Sequence, residues 1–324
     1  MKPLDARDRQ MLFTLDFQAR MPLSQLGKKL KISKQVAKYR IERLQKEKII
    51  QGFYTDINAS KLGLAIYLVY LKFHHLSPIQ EKEFIQYLGK QRNVGVSVSL
   101  NGKWDYTFGI WAESIIHFKK AYYEIMRSYE KYVAQKTIMI ETDFFYFKPR
   151  QIWNGQNSQI MMTGELEYRK LDQKDRIILS KLAQDARISL VDLGKSVSLS
   201  PHAVKSRIKT LEKDNVILGY RVMINYPLLK CLHYRVFLHI ENATEQKERS
   251  IVEFLGSKKQ VISVTKTIGY CELEFRAVIK EMQEIYDVLE ELRSHYPEIK
   301  EYDLLAYYKF HSVLNYYPFT EEVR

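Results

Sequence analysis

The 324-residue chain contains an internal repeat, and this repeat limits its possible folds more than any other feature of the sequence. A shift of 167 residues aligns Leu4–Phe53 with Leu171–Tyr220, with 20 identities in 50 positions. The same shift, without a gap, still matches Gly102 to Gly269. Two copies of this length are typical of duplicated domains, whereas a solenoid needs at least three short repeats. We therefore expect two halves that are built alike.

The repeat predicts five segments. Residues 149–169, between the copies, are rich in Gln, Asn and Gly and have no clear hydrophobic period, which predicts a linker. Each half divides again into a short helical part and a longer mixed part. The predicted domains are two helix-turn-helix domains (residues 1–60 and 170–227) and two larger domains (residues 61–148 and 228–324).

Composition favours a globular protein with a polyanionic partner. Apolar residues make up 46% of the chain and charged residues 27%, and the formal net charge is +13. Cys231 and Cys271 form no CxxC pair, so we expect no zinc site and no disulfide framework. The sequence has no phosphate-binding glycine loop and no metal-ligand cluster, so we expect no cofactor. The charged N-terminus lacks an apolar signal segment, and the longest apolar run, Ala65–Leu71, is too short to span a bilayer. These features predict a soluble, cytoplasmic protein.

The first part of each copy predicts three short helices. In the third helix of the first copy, Ala37, Ile41 and Leu44 recur at i, i+4 and i+7 and must face the other helices. Two short helices, a tight turn and a third helix with a polar outer face are typical of a helix-turn-helix. The segments Ile50–Asn58 and Ile217–Asn225 follow, each with a glycine among β-favouring residues, and predict a hairpin, or wing.

Charge on the third helices favours DNA binding. Residues 28–48 carry nine Lys or Arg against two Glu, and residues 195–215 carry five against two acids. Such a surplus suits phosphates, and helices of this kind dock in the major groove. The alternative is a winged helix that binds protein or is purely structural. The predicted DNA-binding residues are Ser33, Lys34, Gln35, Lys38, Tyr39, Arg40, Arg43, Ser200, His202, Lys205, Ser206, Arg207 and Lys209.

The second part of each copy predicts a ferredoxin-like βαββαβ domain. In the first copy, strands are predicted at 65–73, 94–100, 105–112 and 136–147, and helices at 78–90 and 114–132. In the second copy, strands are predicted at 233–240, 261–267, 272–278 and 299–310, and helices at 245–257 and 281–294. One sheet face would stay bare and apolar, so we expect the other half of the chain to cover it. The predicted fold class is α+β, with two tandem copies forming an internal pseudo-dimer.

These residues resemble the leucine-responsive/asparagine regulator (Lrp/AsnC) family of transcription factors. The openings "LDARDRQML" and "LDQKDRIIL" are similar to the family's first helix, and "LSPHAVKSRIKTLEKDNVILGY" is similar to its helix-turn-helix. The ligand-domain turn "GxxD" is matched by Gly102–Asp105. The resemblance covers nearly the whole chain, twice. It implies a DNA-binding regulator whose second domain, of the type called RAM, pairs two copies and can bind a small effector such as an amino acid.

The chain departs from the family pattern in the helix-turn-helix turn and in the second ligand turn. The family has Gly where this chain has Lys31 and Ser198, so a left-handed backbone there would cost about 1–2 kcal/mol. Because the second ligand turn reads "GYCE", two effector pockets would not be equivalent. The alternative for each ligand turn is a packed turn with its acid bonded to backbone. The candidate ligand-binding residues are Gly102, Trp104, Asp105, Gly269 and Glu272.

Three functions remain open at the level of sequence. The leading one is a sequence-specific transcriptional regulator that binds double-stranded DNA and forms a pseudo-dimer, with further homo-oligomers possible. A second is an enzyme like the sirohaem decarboxylases, which resemble the same family. The eight histidines show no paired placement across the repeat, and no catalytic residue is predicted. A third is a partner that forms mixed oligomers with other regulators.

Overall fold

The structure, a computed structural model, describes residues 3–163, 166 and 168–312. Each copy begins with the three predicted helices, and the first and third helix of each copy start at a side-chain cap. Asp5, Ser33, Asp172 and Ser200 each accept a hydrogen bond from a backbone N–H of the first helical turn. The helices are α1 (Ala6–Leu15), α2 (Leu23–Leu30) and α3 (Lys34–Lys46), and, in the second copy, α6 (Gln173–Gln184), α7 (Leu190–Val197) and α8 (Pro201–Lys213).

The predicted hairpins after the third helices do not form. Each segment is a single strand, β1 (Ile50–Ile57) or β7 (Ile217–Ile224), and the two strands pair with each other, antiparallel. Short 3₁₀ helices at Ala59–Leu62 and Tyr226–Leu229 then lead into the next domain, so no return strand follows. A strand needs a partner for its backbone groups, and the equivalent strand of the other copy provides it. The pairing joins the two helix-turn-helix units.

The second part of each copy is the predicted βαββαβ domain. Within each domain the strand order is fourth, first, third, second. Alternate residues of the sheets face the helices, as Val69 and Val236 do, and the others face inward. The first domain comprises β2 (Ala65–Phe73), α4 (Pro78–Gly89), β3 (Val94–Asn101), β4 (Tyr106–Ala112), α5 (Ile115–Met126) and β5 (Val133–Phe147). The second comprises β8 (Leu232–Ile240), α9 (Glu245–Ser257), β9 (Val261–Ile268), β10 (Leu273–Ile279), α10 (Met282–His295) and β11 (Ile299–Ser312).

The two four-stranded sheets join into one closed barrel. Strand β11 pairs with β3, and β5 pairs with β9, so each domain's last strand meets the second strand of the other domain. The inner faces cover one another, as the sequence predicts, but the sheets also merge at both edges. Free sheet edges expose unpaired N–H and C=O groups, and closure removes them. The pseudo-dimer is therefore continuous in backbone hydrogen bonding.

The linker is held against both halves. Its strand β6 (Gln159–Thr163), which the sequence did not predict because five residues without alternation give no strand signal, pairs with β5. Arg150 donates to the carbonyl oxygens of Gly256 and Lys258, both at 2.8 Å. A Cβ at Gly155 would lie 2.5 Å from the Phe13 ring. In the part of the chain that the structure describes, no helix is long and apolar enough to cross a bilayer.

Candidate nucleic-acid interface

Helices α3 and α8 present the predicted polar faces to solvent. The inward residues Ala37, Ile41 and Leu44 are buried, as are Val204, Ile208 and Leu211 at the equivalent positions. The predicted contact residues on the outer faces are exposed, with Tyr39 at 64%. The exposed residues are Lys34, Gln35, Lys38 and Tyr39 on α3, and His202, Lys205, Ser206 and Lys209 on α8.

Ser33 and Ser200 are exposed, and their hydroxyl groups cap the helices. Ser33 Oγ accepts from the N–H of Val36 and Ser200 Oγ from that of Ala203, both at 3.2 Å. Capping fixes where the helix starts and leaves the first backbone N–H groups pointing outward. A helix N-terminus with free N–H groups favours an adjacent phosphate.

Three of the predicted contact residues lie in ion pairs that attach the third helix to the first. Arg40 Nη1 lies 2.7 Å from carboxylate oxygens of both Asp5 and Asp8, and Arg43 Nη2 lies 2.5 Å from Asp8. These two arginine side chains are only 19% and 13% exposed. These ion pairs hold α3 against the start of α1.

The second copy repeats the ion pairs of Arg40 through the equivalent residue, Arg207. Arg207 Nη1 lies 2.7 Å from Asp172 and 2.8 Å from Asp175. The hydrogen bonds that Arg207 donates to the carboxylates of Asp175 and Asp172 raise the pKa of Arg207. The sequence predicts Asp5 and Asp172 as helix caps, each with an acid three residues on, but it does not predict that these acids pair with arginines of the third helix. The equivalent of Arg43 is Thr210, so the first copy has the more extensive network.

The turn between the second and third helices keeps the left-handed backbone of a glycine. Lys31 has φ 53° and Ser198 has φ 52°. The preceding helix approaches the turn so closely that a Cβ at Gly27 would lie 2.7 Å from the Ile32 carbonyl oxygen, and one at Gly194 2.5 Å from that of Leu199. Each turn therefore keeps a left-handed backbone at a residue other than glycine, at a cost of about 1–2 kcal/mol per copy.

The two candidate ligand turns lie where the domains meet. Gly102 has φ +139°, and a Cβ there would lie 3.0 Å from the Leu304 carbonyl oxygen of β11. Gly269 has φ +131°, and a Cβ there would lie 2.5 Å from the Ile138 carbonyl oxygen of β5. Each turn thus packs on the last strand of the other domain, and this close approach requires glycine.

The acids of the turns bond to backbone. Asp105 accepts from the Phe73 N–H at 2.9 Å and pairs with Lys72 at 2.6 Å. Glu272 accepts from the Ile240 N–H at 2.8 Å, so it replaces the aspartate in the same structural role. This geometry matches the alternative reading of packed turns.

Trp104 of the first turn is 3% exposed. It packs edge-on against Tyr270, at a ring distance of 5.7 Å. A surface groove of about 260 Å³ lies beside the Asp105 carboxylate, lined also by His74, His75 and Glu81. Within the described ranges, no group of three or more His, Cys, Asp or Glu side chains is placed to hold a metal ion.

Comparisons with known families match both helix-turn-helix units. A family model described as the AsnC-type helix-turn-helix domain matches residues 171–212. A second, described as winged helix-turn-helix DNA-binding, matches residues 4–51.

Two curated relatives match stretches shorter than one copy of the repeat. An uncharacterised HTH-type transcriptional regulator of Pyrococcus furiosus is 27% identical over 127 residues, 39% of this chain and 82% of the relative. The leucine-responsive regulatory protein of Haemophilus influenzae is 48% identical over 59 residues, 18% of this chain and 36% of the relative.

A solved structure matches the tandem arrangement. The crystal structure of the siroheme decarboxylase NirDL has a TM-score of 0.61 and 11% identity, and the match covers 94% of this chain and 92% of that one. At this identity the likeness shows a shared fold and nothing about chemistry.

Proposed function

Because the chain belongs to the Lrp/AsnC family of transcriptional regulators, we propose that it binds double-stranded DNA through α3 and α8 together. The observation that carries this proposal is that both helices expose cationic and hydrogen-bonding residues, while the apolar residues at i, i+4 and i+7 of each helix are buried. Lys34 and Lys38 of α3, with Lys205 and Lys209 of α8, would neutralise phosphates. Gln35, Tyr39 and His202 would reach base edges in the major groove.

The two helices are not equivalent, so we propose an operator with two unlike half-sites. Gln35 of α3 corresponds to His202 of α8, and Tyr39 to Ser206. Side chains of different length and hydrogen-bonding capacity read different base edges. The test is selection of bound sequences from random DNA across a salt series, followed by footprinting. We expect two adjacent protected regions with different sequences, whereas a single short site, or no protection at low salt, would contradict the proposal.

We also propose that a small molecule modulates DNA binding. The relative named leucine-responsive regulatory protein motivates this proposal, and the groove beside Asp105 is one place for such a ligand. The turns differ in sequence, so we propose one functional effector position at the first turn. Thermal-shift measurements with single amino acids, on the wild type and Asp105→Asn, test it. A shift that Asp105→Asn leaves unchanged would argue against this position.

The rival function is decarboxylation of a tetrapyrrole, and the reason to consider it is the tandem fold shared with the siroheme decarboxylase. We propose that this chain is not an enzyme, because its sequence relatives are named as regulators. One of these relatives matches 127 residues, more than a helix-turn-helix unit alone. Mixing the protein with sirohaem would separate the two functions. A shift of the sirohaem Soret band on mixing, together with loss of carboxylate groups from the tetrapyrrole, would favour the enzyme.

A third possibility is a partner of other regulators that itself binds DNA weakly. Gel filtration with and without DNA separates this role from the first. We expect the protein to co-elute with an operator fragment as a single complex. We propose that such a regulator acts in the cytoplasm.

A further inference from the structure

A cavity lies between one end of the barrel and the β1–β7 sheet. The cavity measures about 140 Å³ and is lined from both halves of the chain, by Ile66 and Trp111 of the first and by His233 and Arg276 of the second. The cavity and the candidate ligand turn of the first domain lie at opposite ends of β2. Ile66, in the cavity wall, is near the start of the strand, whereas the Asp105 N–H donates to the Leu71 carbonyl oxygen near its end. This is a separate site from the groove beside Asp105.

Much of the cavity wall is apolar, and its size suits one aromatic ring. Leu68 and Ile66 of β2, Trp111 of β4, Phe144 of β5 and Ile262 of β9 contribute apolar surface. A cavity of about 150 Å³ with apolar walls is known to bind benzene. A ligand with a six-carbon body therefore fits, and a tetrapyrrole does not.

One side of the cavity carries fixed hydrogen-bond donors. Arg276 Nε donates to Ser263 Oγ at 2.6 Å, and its guanidinium lies 5.1 Å from the Phe144 ring, which holds the group against the wall. Burial lowers the pKa of the neighbouring His233 to about 3, so its imidazole is neutral. Arg235 is paired with Glu274 at 3.1 Å. A guanidinium held in this way offers the donor geometry that a carboxylate prefers.

The remaining acid of the cavity does not oppose an anion at neutral pH. Burial, together with the charge of Glu274, raises the pKa of Glu141 to about 8. Its carboxyl group is therefore mostly protonated at pH 7 and can donate a hydrogen bond. Arg221, which faces the same cavity from β7, has its own carboxylates in Asp16 at 2.5 Å and Asp56 at 3.3 Å.

We propose that this cavity binds a small organic carboxylate with a body the size of a benzene ring, its carboxylate on Arg276. Tyr54 of β1 and Arg221 of β7 contact the same cavity, and these strands follow α3 and α8 directly. Occupancy would therefore alter the spacing of the two DNA-reading helices. This second step rests on the proposed DNA-binding function, whereas the binding of the carboxylate does not.

Benzoate is the probe for binding, and benzamide is the uncharged control of the same size. Titration calorimetry on the full chain should give saturable binding of benzoate, with benzamide at least tenfold weaker. Arg276→Gln should weaken benzoate binding about tenfold or more, and Arg276→Lys less. The matched control Arg249→Gln, on the exposed face of α9, should change nothing. Equal binding of benzoate and benzamide, or no effect of Arg276→Gln, would overturn the proposal.

A second variant tests the site by volume rather than by charge. Ile262→Phe places a ring in the cavity and should abolish benzoate binding while the protein stays folded, which near-ultraviolet circular dichroism reports. If the folded Ile262→Phe variant binds benzoate as tightly as the wild type does, the ligand binds elsewhere and the proposal is wrong.

DNA affinity measured with and without benzoate then tests the coupling. A change of a few-fold supports it, and an unchanged affinity refutes the coupling step. A protein that binds benzoate but never DNA would refute the proposed function and leave the cavity assignment standing.

Discussion

Arg20 and Arg187, which are equivalent in the repeat, make reciprocal hydrogen bonds across the two copies. Arg20 Nη1 donates to the carbonyl oxygens of Ala186 at 2.6 Å and Ile188 at 3.0 Å, and Arg187 Nη1 donates to that of Ala19. Burial lowers the pKa of both guanidinium groups. Each helix-turn-helix unit is thus fastened to the other by the same residue.

Replacing one of these arginines should destabilise the pair of helix-turn-helix units. Arg20→Met removes two charge-assisted hydrogen bonds and leaves the Ala186 and Ile188 carbonyl groups without this donor, so we expect a loss of about 2–3 kcal/mol. Urea unfolding followed by circular dichroism measures it. Arg249→Met, at an exposed i, i+4 pair, should cost less than about 0.5 kcal/mol. Similar losses for both variants would show that the crossed bonds add nothing.

Glycine should be a better residue than lysine at the turn before α3. Lys31 holds a left-handed backbone, so Lys31→Gly should raise the free energy of unfolding by about 1 kcal/mol. Lys31→Ala keeps the steric penalty and should give no gain. Thermal unfolding of the two variants and the wild type compares them. A stabilisation by alanine as large as that by glycine would point to lost charge repulsion instead of relieved backbone strain.

The exposed lysines of α3 should set the salt dependence of DNA binding. Lys34→Gln and Lys38→Gln should each reduce the slope of log K against log salt by about 1, because each loses one phosphate contact. Fluorescence anisotropy with a selected operator measures the slope. Lys300→Gln, on the barrel strand β11, is the control and should leave the slope unchanged. A slope equal to that of the wild type would show that the lysine replaced in that variant makes no phosphate contact.

Stability should depend on pH through Glu141. Its folded-state pKa of about 8 lies above the ordinary glutamate value of 4.5, so the folded protein holds this proton more tightly than the unfolded chain. Glu141 therefore favours folding most at low pH, and this contribution is lost as pH rises through 8. Relative to Glu141→Gln, the wild type should lose stability between pH 5 and 8 in urea titrations. A constant difference between the two proteins would contradict the raised pKa.

The buried ion cluster under the helix-turn-helix units should be sensitive to the loss of its cation. Arg221→Met leaves the carboxylates of Asp16 and Asp56 buried without their partner, which should cost about 3–5 kcal/mol. Adding Asp16→Asn and Asp56→Asn to that variant should recover much of the loss. Chemical unfolding of the single and triple variants measures both steps, and a triple variant no more stable than the single one would show that packing, not charge, dominates.

Local patterns in the sequence determined the duplicated plan, the helices and the direction in which α3 and α8 face. Caps and apolar spacing act within a single helix, so they can be recognised in the sequence alone. Examples are the caps at Ser33 and Ser200 and the spacing of Ala37, Ile41 and Leu44. The left-handed backbone at Lys31 was one of two alternatives that the family resemblance left open, and the structure decided between them. The exposure of the predicted DNA-contacting side chains on the outer faces of α3 and α8 follows from the same spacing.

Only the tertiary structure decided how the two halves join. The pairing of β1 with β7, the closure of the barrel through β3–β11 and β5–β9, and the ion pairs of Arg40 with Asp5 and Asp8 connect positions far apart in the chain. Strand pairing depends on which edges meet, and no local propensity encodes that choice. The same holds for the charges inside the barrel, since Glu141 and Arg276 lie in ordinary strand segments until folding brings them to one cavity.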